Sequence, residues 1–547
     1  MMRSTLLLAL ALAGCGDLLP VSDRVPTSLR LERDTVTVTE GDELGVRVIL
    51  LDQNGKEFAR IPDWAAPQWT LSGGAVAAEG STLRGVTPGQ SLGKVTVAGL
   101  SADAVLRVNP RALELVADAY VTQSVQRPDG SVPLVAGRDG FLRVFLRGDQ
   151  PNFFTASVRV QLFRGGVLQE TIPLAPSADS VPTVRREGDL RASFNVRIPA
   201  EMMQPGLSLV VEADPAGAIP RKPASRARFP AVGTMALDVR AVPKLWLRLI
   251  PIHQSYLGRT GRVTASNKDQ FVRDLLAMYP IAAHDVDLRT AYTTTVNANT
   301  PEGWGAILNE LRVLRTLDGS GRYYYGIMDA GERPSLLGLG YLGHPASVGF
   351  DVLPEAAGTL AHELGHNFNR RHTPCGNPAG TDPAFPYADG AIGVFGYDFS
   401  SGLVKTPTAD KDLMSYCRPR WVSDYTYQAV LNFRAAGDNG TRERTADAPA
   451  EPSLLVWGRV GGATPVIEPA FELTTAPSLP ARPGPFTLQG LDAGGAVLFS
   501  LPFDGEALAE HDTRERQFAF AIPARMAHPE RLARLRVTGP GVAAERG

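Results

Sequence analysis

The eleven residues from His362 to His372 combine three histidines and a glutamate at the spacing of a metal site. Residues four apart project from the same face of a helix, so His362 and His366 can bind one ion. Glu363 lies beside His362 and can reach a metal-bound water without being a ligand. Three neutral imidazoles leave a fourth position of tetrahedral zinc for that water. The pattern predicts Zn²⁺ on His362, His366 and His372, with Glu363 as a catalytic base.

The third histidine requires a sharp turn in the chain. His372 follows His366 by six residues, too far round for a continuing helix to bring it to the same ion. Helices commonly leave such a site through a left-handed residue, usually glycine and sometimes asparagine. That conformation costs an ordinary residue about 1–2 kcal/mol, and asparagine tolerates it well. We therefore predict that the turn forms at Asn369.

The segment HELGHNFNRRH resembles the long zinc motif of the metzincin metallopeptidases, with Asn369 where that family has glycine. Met414-Ser415-Tyr416 resembles the Met-turn of the serralysin and astacin branches. The resemblance implies that Met414 is a hydrophobic floor beneath the metal. It also implies that Tyr416 is an extra ligand or an oxyanion donor. Gly338–Gly343 would be the edge strand that pairs with a substrate backbone, and an ordinary glycine-rich strand is the alternative. Taken alone, Met414 indicates only a core residue, and a packed structural tyrosine is the alternative for Tyr416.

The cysteines and the remaining polar residues suggest structural roles. Cys375 and Cys417 follow the two motifs, and we predict a disulfide between them; two unpaired buried thiols are the alternative. We expect His253 and His344 to be satisfied structural histidines, whereas His511 and His528 lie outside the predicted site region. Five aspartates between the motifs fit no calcium-loop template and are expected to be solvated loop acids: Asp382, Asp389, Asp398, Asp410 and Asp412.

The N-terminus predicts an exported protein. Residues 1–14 combine Arg3, an apolar run and small residues, as in a secretory signal. The ending LAGC resembles the lipobox of bacterial lipoproteins, which implies lipidation of Cys15. An ordinary signal peptide with a chance cysteine is the alternative. No later stretch has 18 consecutive apolar residues. We therefore expect a lipid-anchored protein of the bacterial cell envelope, at the outer membrane or cell surface.

Composition and patterning favour several domains. The 547 residues carry a formal net charge of −2, so there is no basic field for nucleic acid. The predicted fold class is multidomain: an α/β (α+β) metzincin-like catalytic domain flanked by all-β immunoglobulin-like and β-sandwich domains. Within the first β domain, residues 35–52 alternate like a hairpin about Glu40-Gly41-Asp42. The predicted segments are the tether 15–24, the immunoglobulin-like domain 25–108, the β-sandwich 109–235, the catalytic domain 236–437, the linker 438–453 and the C-terminal β domain 454–547.

Two functions follow from these features. The first is a secreted, lipid-anchored zinc endopeptidase that acts on extracellular proteins or glycoproteins as a monomer. Here Glu363 transfers the proton of the metal-activated water, and Tyr416 stabilises the oxyanion. The alternative is a non-catalytic surface adhesin or binding protein that uses the same fold as a scaffold. Glu363 favours the endopeptidase hypothesis, because a purely binding protein has no need of that carboxylate.

Overall fold

The computed structural model describes residues 24–176, 178–331, 336–438, 449–462, 464–509 and 515–547. The predicted signal, Cys15, His511 and most of the predicted linker lie outside these residues. Strands account for 43% of the described residues and helices for 13%. No helix in the described ranges is long and apolar enough to cross a membrane.

The predicted fold class was wrong, because this is a mostly-β protein and not one organised around an α/β metzincin-like catalytic domain. The zinc motif and the turn after it cover few residues, and they say little about the remaining chain. Helices are concentrated between residues 268 and 435. The described part of the chain contains five α-helices: α1 (Lys268–Met278), α2 (Pro301–Leu317), α3 (Glu355–Asn367), α4 (Asp424–Ala435) and α5 (Ala524–Ala527).

The first region packs small sheets around a core of aliphatic side chains that includes Leu50, Leu83 and Val108. The predicted hairpin about Gly41 does not form. Thr35–Thr39 instead pairs in parallel with Leu100–Asn109, because alternation selects a buried face but not a partner strand. The sheets, in spatial order, are Pro26–Leu31 and Val48–Asp52; Thr35–Thr39, Leu100–Asn109, Gly89–Val97 and Gln68–Ser72; and Glu43–Gly45, Thr82–Gly85 and Val76–Glu79.

The second region consists mainly of antiparallel sheets, with one parallel pair between Leu134–Val135 and Val239–Arg240, and its core includes Leu142, Val160 and Leu209. Its larger sheet is Val167–Leu174, Val158–Arg164, Leu207–Ala213 and Arg228–Phe229, with Met235–Ala236 also on Leu207–Ala213. The other pairings are Leu115–Thr122, Gly140–Gly148 and Phe194–Ile198; Leu134–Val135 with Val239–Arg240; and Val125–Gln126, Phe395–Asp398 and Leu403–Lys405.

The third region holds a mixed sheet with helices packed on it. Helix α2 begins at Pro301, and Thr300 caps it by accepting from the Gly303 N–H. Its inward residues Ile307, Leu308 and Leu311 are fully buried. The strands of the mixed sheet, in spatial order, are Arg259–Thr260, Leu245–Gln254, Tyr323–Met328, Ala346–Phe350 and Gly338–Gly340. Two further strands, His284–Leu288 and Tyr292–Thr294, also pair with Leu245–Gln254. A separate two-stranded sheet joins Lys411–Asp412 and Arg420–Trp421.

The last region is again β structure, with an aromatic core that includes Phe503, Phe518 and Phe520. One sheet is Val466–Ile467, Glu451–Val460, Arg516–Pro523 and Glu506–Ala507, with Phe471–Thr475 also on Glu451–Val460. The other is Val497–Phe503, Phe486–Asp492, Leu532–Gly539 and Val542–Arg546.

The second region is docked firmly on the mixed region. Trp421 donates from Nε1 to the Ser124 carbonyl at 3.0 Å. Arg127 forms an ion pair with buried Asp424 at 2.6 Å, and Arg138 donates to the Ala277 carbonyl at 2.7 Å. These contacts explain why residues 124–138 pack with the mixed sheet as well as with their own strands.

Candidate functional site

Helix α3 carries the first two histidines on its inner face. Small residues on this helix allow close packing: a side chain at Gly365 would collide with Met414 and with the Tyr279 hydroxyl. His362 and His366 are 4% and 0% exposed, and the whole second half of the helix is buried. The helix is therefore held rigidly, and its two imidazoles have fixed positions.

The turn that returns the third histidine is the one predicted at Asn369. Asn369 has a φ of 63°, which is left-handed. Its N–H donates to the His366 carbonyl at 2.7 Å, and the Arg370 N–H donates to the Gly365 carbonyl at 2.9 Å. These two bonds form a Schellman motif. The chain leaves the helix abruptly, and His372 comes back to the first two histidines.

Each of the three imidazoles donates from Nδ1 to a backbone carbonyl. The acceptors are Leu413 at 2.8 Å for His362, Arg370 at 2.7 Å for His366 and Ala379 at 2.6 Å for His372. A carbonyl can only accept, so Nδ1 carries the proton and Nε2 carries a lone pair. This arrangement orients a histidine as a metal ligand.

The donor set fits a divalent transition metal. One ligand atom from each of His362, His366 and His372 lies within 4.8 Å of the other two. The Nε2 atoms of His362 and His366 are only 3.2 Å apart, although Nδ1 protonation leaves a lone pair on both. A cation between such atoms relieves their repulsion, and imidazole nitrogen suits zinc.

A cleft of about 340 Å³ opens beside the histidines. Glu363, 2% exposed, lines it together with Tyr416 and Arg420. Burial and neighbouring Arg418 lower the pKa of Arg420, and the negative charge of Glu363 opposes that shift. A side chain at Gly338 would collide with the Glu363 carboxylate. Strand Gly338–Gly340 therefore lies directly against Glu363.

The turn at Met414 lies beneath the cluster. Met414 is fully buried and accepts from the Tyr279 hydroxyl at 3.4 Å. The preceding Leu413 supplies the carbonyl that orients His362. Tyr416 is 41% exposed, and its ring centroid is 5.1 Å from that of His372. The geometry thus brings Met414 and Tyr416 to the histidines, although it does not assign Tyr416 a chemical role.

The predicted disulfide between Cys375 and Cys417 is present. It joins the segment after His372 to the segment after Tyr416. The Tyr416 N–H also donates to the Cys375 carbonyl at 3.1 Å, and the Thr373 N–H donates to the Met414 carbonyl at 3.0 Å. The third histidine and the Met414 turn are therefore held as one unit.

The edge strand near the cluster is partly covered by the last region of the chain. The Ala509 N–H donates to the Gly340 carbonyl, and the Leu342 N–H donates to the Ala507 carbonyl, both at 3.0 Å. Tyr341 forms an antiparallel bridge with Leu508. Part of the predicted substrate-pairing edge is therefore already occupied within the chain.

Sequence reasoning missed several roles of polar residues. The expectation of solvated acids was wrong for Asp412, which is fully buried and accepts from the Met414 and Ser423 N–H groups. Asp398 and Asp410 are also buried and accept hydrogen bonds from nearby residues of their own loops. Asp382 accepts from the Tyr425 hydroxyl, whereas Asp389 is exposed. The carbonyls of Leu413, Arg370 and Ala379 carry no residue-type signal, so only the fold reveals them.

His253, His344 and His528 are not members of the cluster. His253 contacts the Thr260 hydroxyl at 2.8 Å, in agreement with a satisfied structural histidine. That expectation was wrong for His344, whose Nδ1 is buried without a hydrogen-bond partner. His528 has a left-handed backbone conformation at the end of α5.

No family model matches the chain, and no curated protein matches it. Among solved structures, domains 1–6 of the surface layer protein SbsC align at 13% identity and a TM-score of 0.18, over 45% of this chain and 32% of that one. The Yersinia pseudotuberculosis adhesin InvE aligns at 13% identity and a TM-score of 0.16, over 44% of this chain and 69% of that one. Titin immunoglobulin tandem domains align at 10% identity and a TM-score of 0.17, over 39% of this chain and 97% of that one. Scores this low carry no argument about the whole chain.

The identification as a metzincin-like zinc metallopeptidase was therefore wrong. The described residues are mostly β structure and do not form a chain organised around an α/β catalytic domain, and no family model supports the identification. The assignments as hydrolase, protease and metalloprotease are withdrawn with it. A motif of eleven residues and a distant turn do not determine the fold of a chain of this length.

Proposed function

We propose that this chain is a non-catalytic, extracytoplasmic surface binding protein that holds a divalent transition metal ion, expected to be zinc. The observation that carries the metal assignment is the convergence of the imidazoles of His362, His366 and His372. Their Nδ1 atoms donate to backbone carbonyls, and one ligand atom from each ring lies within 4.8 Å of the other two. When bound, the ion supplies a Lewis-acidic position at the base of the cleft.

The binding function is supported by the architecture around that site. Along the chain, β regions precede and follow the mixed region. An extended peptide binds a protein most simply by adding to a free strand edge. Here the edge from Gly340 to Leu342 is paired with Ala507–Ala509, so the cleft favours a ligand that enters beside Gly338.

Glu363 has a role in this proposal that needs no bond cleavage. Three neutral imidazoles would leave the double charge of the ion uncompensated in a buried site. The Glu363 carboxylate, buried on the same helix, supplies negative charge next to it. Such outer partners commonly change metal affinity about 10–100-fold.

The surface location is part of the same proposal. The predicted signal and the Cys375–Cys417 disulfide both suit an oxidising compartment. We further propose that lipid on Cys15 anchors the protein to the envelope. Metabolic labelling with a radioactive fatty acid should mark the wild type and not Cys15→Ser; equal labelling of both proteins would reject the anchor.

The central test is metal content, measured in wild type and in His372→Ala. We expect about one zinc per wild-type chain and a fall in affinity of more than about 100-fold in the variant, since a direct ligand contributes more than an outer partner. His253→Ala is the matched control, because His253 is partly buried outside the cluster. It should bind zinc like wild type.

Two outcomes would contradict the proposal. Equal zinc binding by wild type and His372→Ala would reject the three-histidine site. Chelator-sensitive cleavage of an unfolded protein, lost in Glu363→Gln, would reject the non-catalytic assignment while leaving the metal site intact.

A further inference from the structure

A second cavity lies between the mixed region and the last β region. Its volume is about 630 Å³, within the range of sites for small organic ligands. Helix α2 contributes Arg312 and Arg315, the loop after strand Gly338–Gly340 contributes His344, and the last region contributes Arg482 and Glu506. The histidine cluster and its cleft do not share these residues.

Arg312 is the most informative side chain in this cavity. It is 4% exposed, yet its Nη1 has no hydrogen-bond partner. Its Nη2 lies 3.6 Å from the Glu506 carboxylate, a distance that is long for a hydrogen bond. A buried guanidinium that lacks partners is costly. The cavity therefore contains donor capacity that the described chain does not use.

The surroundings of Arg312 add positive charge. Arg315 follows at i+3, on the same face of α2, and uses its Nε to donate to the Arg322 carbonyl at 2.7 Å. Burial, together with the charge of Arg312, lowers the pKa of Arg315 to about 10. Burial, together with Arg312 and Arg315, also lowers the pKa of His344 well below its usual value. These shifts indicate an electropositive, poorly solvated site.

The acidic residues of the cavity do not neutralise it. Asp504 has its own partner outside the lining, Arg516 at 3.4 Å. In the described part of the chain, Glu506 is the one carboxylate within 4 Å of either α2 arginine. The three arginines Arg312, Arg315 and Arg482 carry three positive charges, and Glu506 carries one negative charge. The cavity therefore has a surplus of two positive charges.

We propose that this cavity binds a small organic phosphate, such as a phosphorylated sugar. A phosphomonoester carries about two negative charges near neutral pH and accepts several hydrogen bonds. Arginine donors match its oxygens in paired geometry. Phe433, which also lines the cavity, provides apolar contact for the remainder of the ligand. This site is independent of the proposed metal site.

Calorimetric titration of the full chain with glucose 6-phosphate tests the proposal. Glucose is the uncharged comparison, and glucuronate is the carboxylate comparison. We expect saturable binding of the phosphate, no binding of glucose, and weakening as salt is raised. Arg315→Gln and Arg312→Gln should each lose affinity by about 10-fold or more, since each removes a charge-assisted hydrogen bond. Arg525→Gln, an exposed arginine (side chain 73% exposed) of the same β region, should bind unchanged.

The same titration on metal-stripped, dialysed protein separates this cavity from the histidine cluster. Binding that persists supports the cavity; binding that disappears overturns the proposal, because the metal was then the site. Absence of saturable binding in wild type, or full affinity in folded Arg315→Gln, also overturns it. Tighter binding of glucuronate would overturn the phosphate assignment. If both buried variants fail to fold, Arg482→Gln at the exposed cavity rim is decisive, with an expected loss of about three-fold.

Discussion

At the scale of single residues, the three histidines are oriented by groups that have no sequence signature. The imidazole Nδ1 atoms bond to carbonyls of Leu413, Arg370 and Ala379. Two of those carbonyls lie in loops after α3, and one lies in the turn before Met414. The histidine spacing thus predicts the ligand set, and the loops decide whether the lone pairs converge.

Asn369 provides a test at this scale. Its φ of 63° should make Asn369→Ala destabilising by about 1 kcal/mol, because alanine tolerates the left-handed region less well. Asn369→Gly should retain or slightly raise stability, since glycine adopts that region without a Cβ penalty. Chemical denaturation of both variants gives the free energies of unfolding. Equal stability of the alanine and glycine variants would show that the turn does not constrain this position.

At the scale of elements, the turn of Asp412–Tyr416 and the loop after His372 act together. The disulfide and the two backbone hydrogen bonds described above connect them. Asp412 connects the turn to the start of α4 through the Ser423 N–H. The cysteine count of an exported chain predicted the disulfide, whereas the sequence did not predict the burial of Asp412.

Removing the disulfide tests this connection. The bridge closes a sequence separation of 42 residues, which corresponds to about 4 kcal/mol by chain entropy. Cys375→Ser with Cys417→Ser should lower the free energy of unfolding by up to that amount. Metal affinity should fall as well, because the loop holding His372 loses its constraint. Unchanged stability and metal affinity would contradict this role; wild type under reducing conditions is the matched comparison.

At the scale of the whole molecule, the last β region covers a strand edge of the mixed sheet. The hydrogen bonds of Ala509 and Leu342 join two regions that are distant in sequence. Tyr341 adds a hydroxyl contact to Gln517. Covered edges resist pairing with other chains.

Ala509→Pro tests this contact, because proline removes the N–H that donates to Gly340. Hydrogen exchange should show faster exchange of the Leu342 amide in this variant than in wild type. Ala509→Gly, which retains the N–H, is the matched control and should remain closer to wild type. Equal protection of Leu342 in all three proteins would show that the edge is not held by this pairing.

The sequence by itself determined the local features whose cause is local. It predicted the left-handed turn at Asn369 and the three histidines that come together. Each of these depends on residue type and on spacing within one or two helical turns. Capping, helical periodicity and backbone preference act over that range.

Only the tertiary structure decided the features that depend on distant partners. Thr35–Thr39 pairs with Leu100–Asn109 instead of forming a hairpin. Ala507–Ala509 covers the strand edge beside Gly340. The arginines of α2 line a cavity that the last β region completes. The mostly-β character of the chain also belongs here. Alternating patterns specify which face of a strand is buried, but the partner is selected by packing across hundreds of residues.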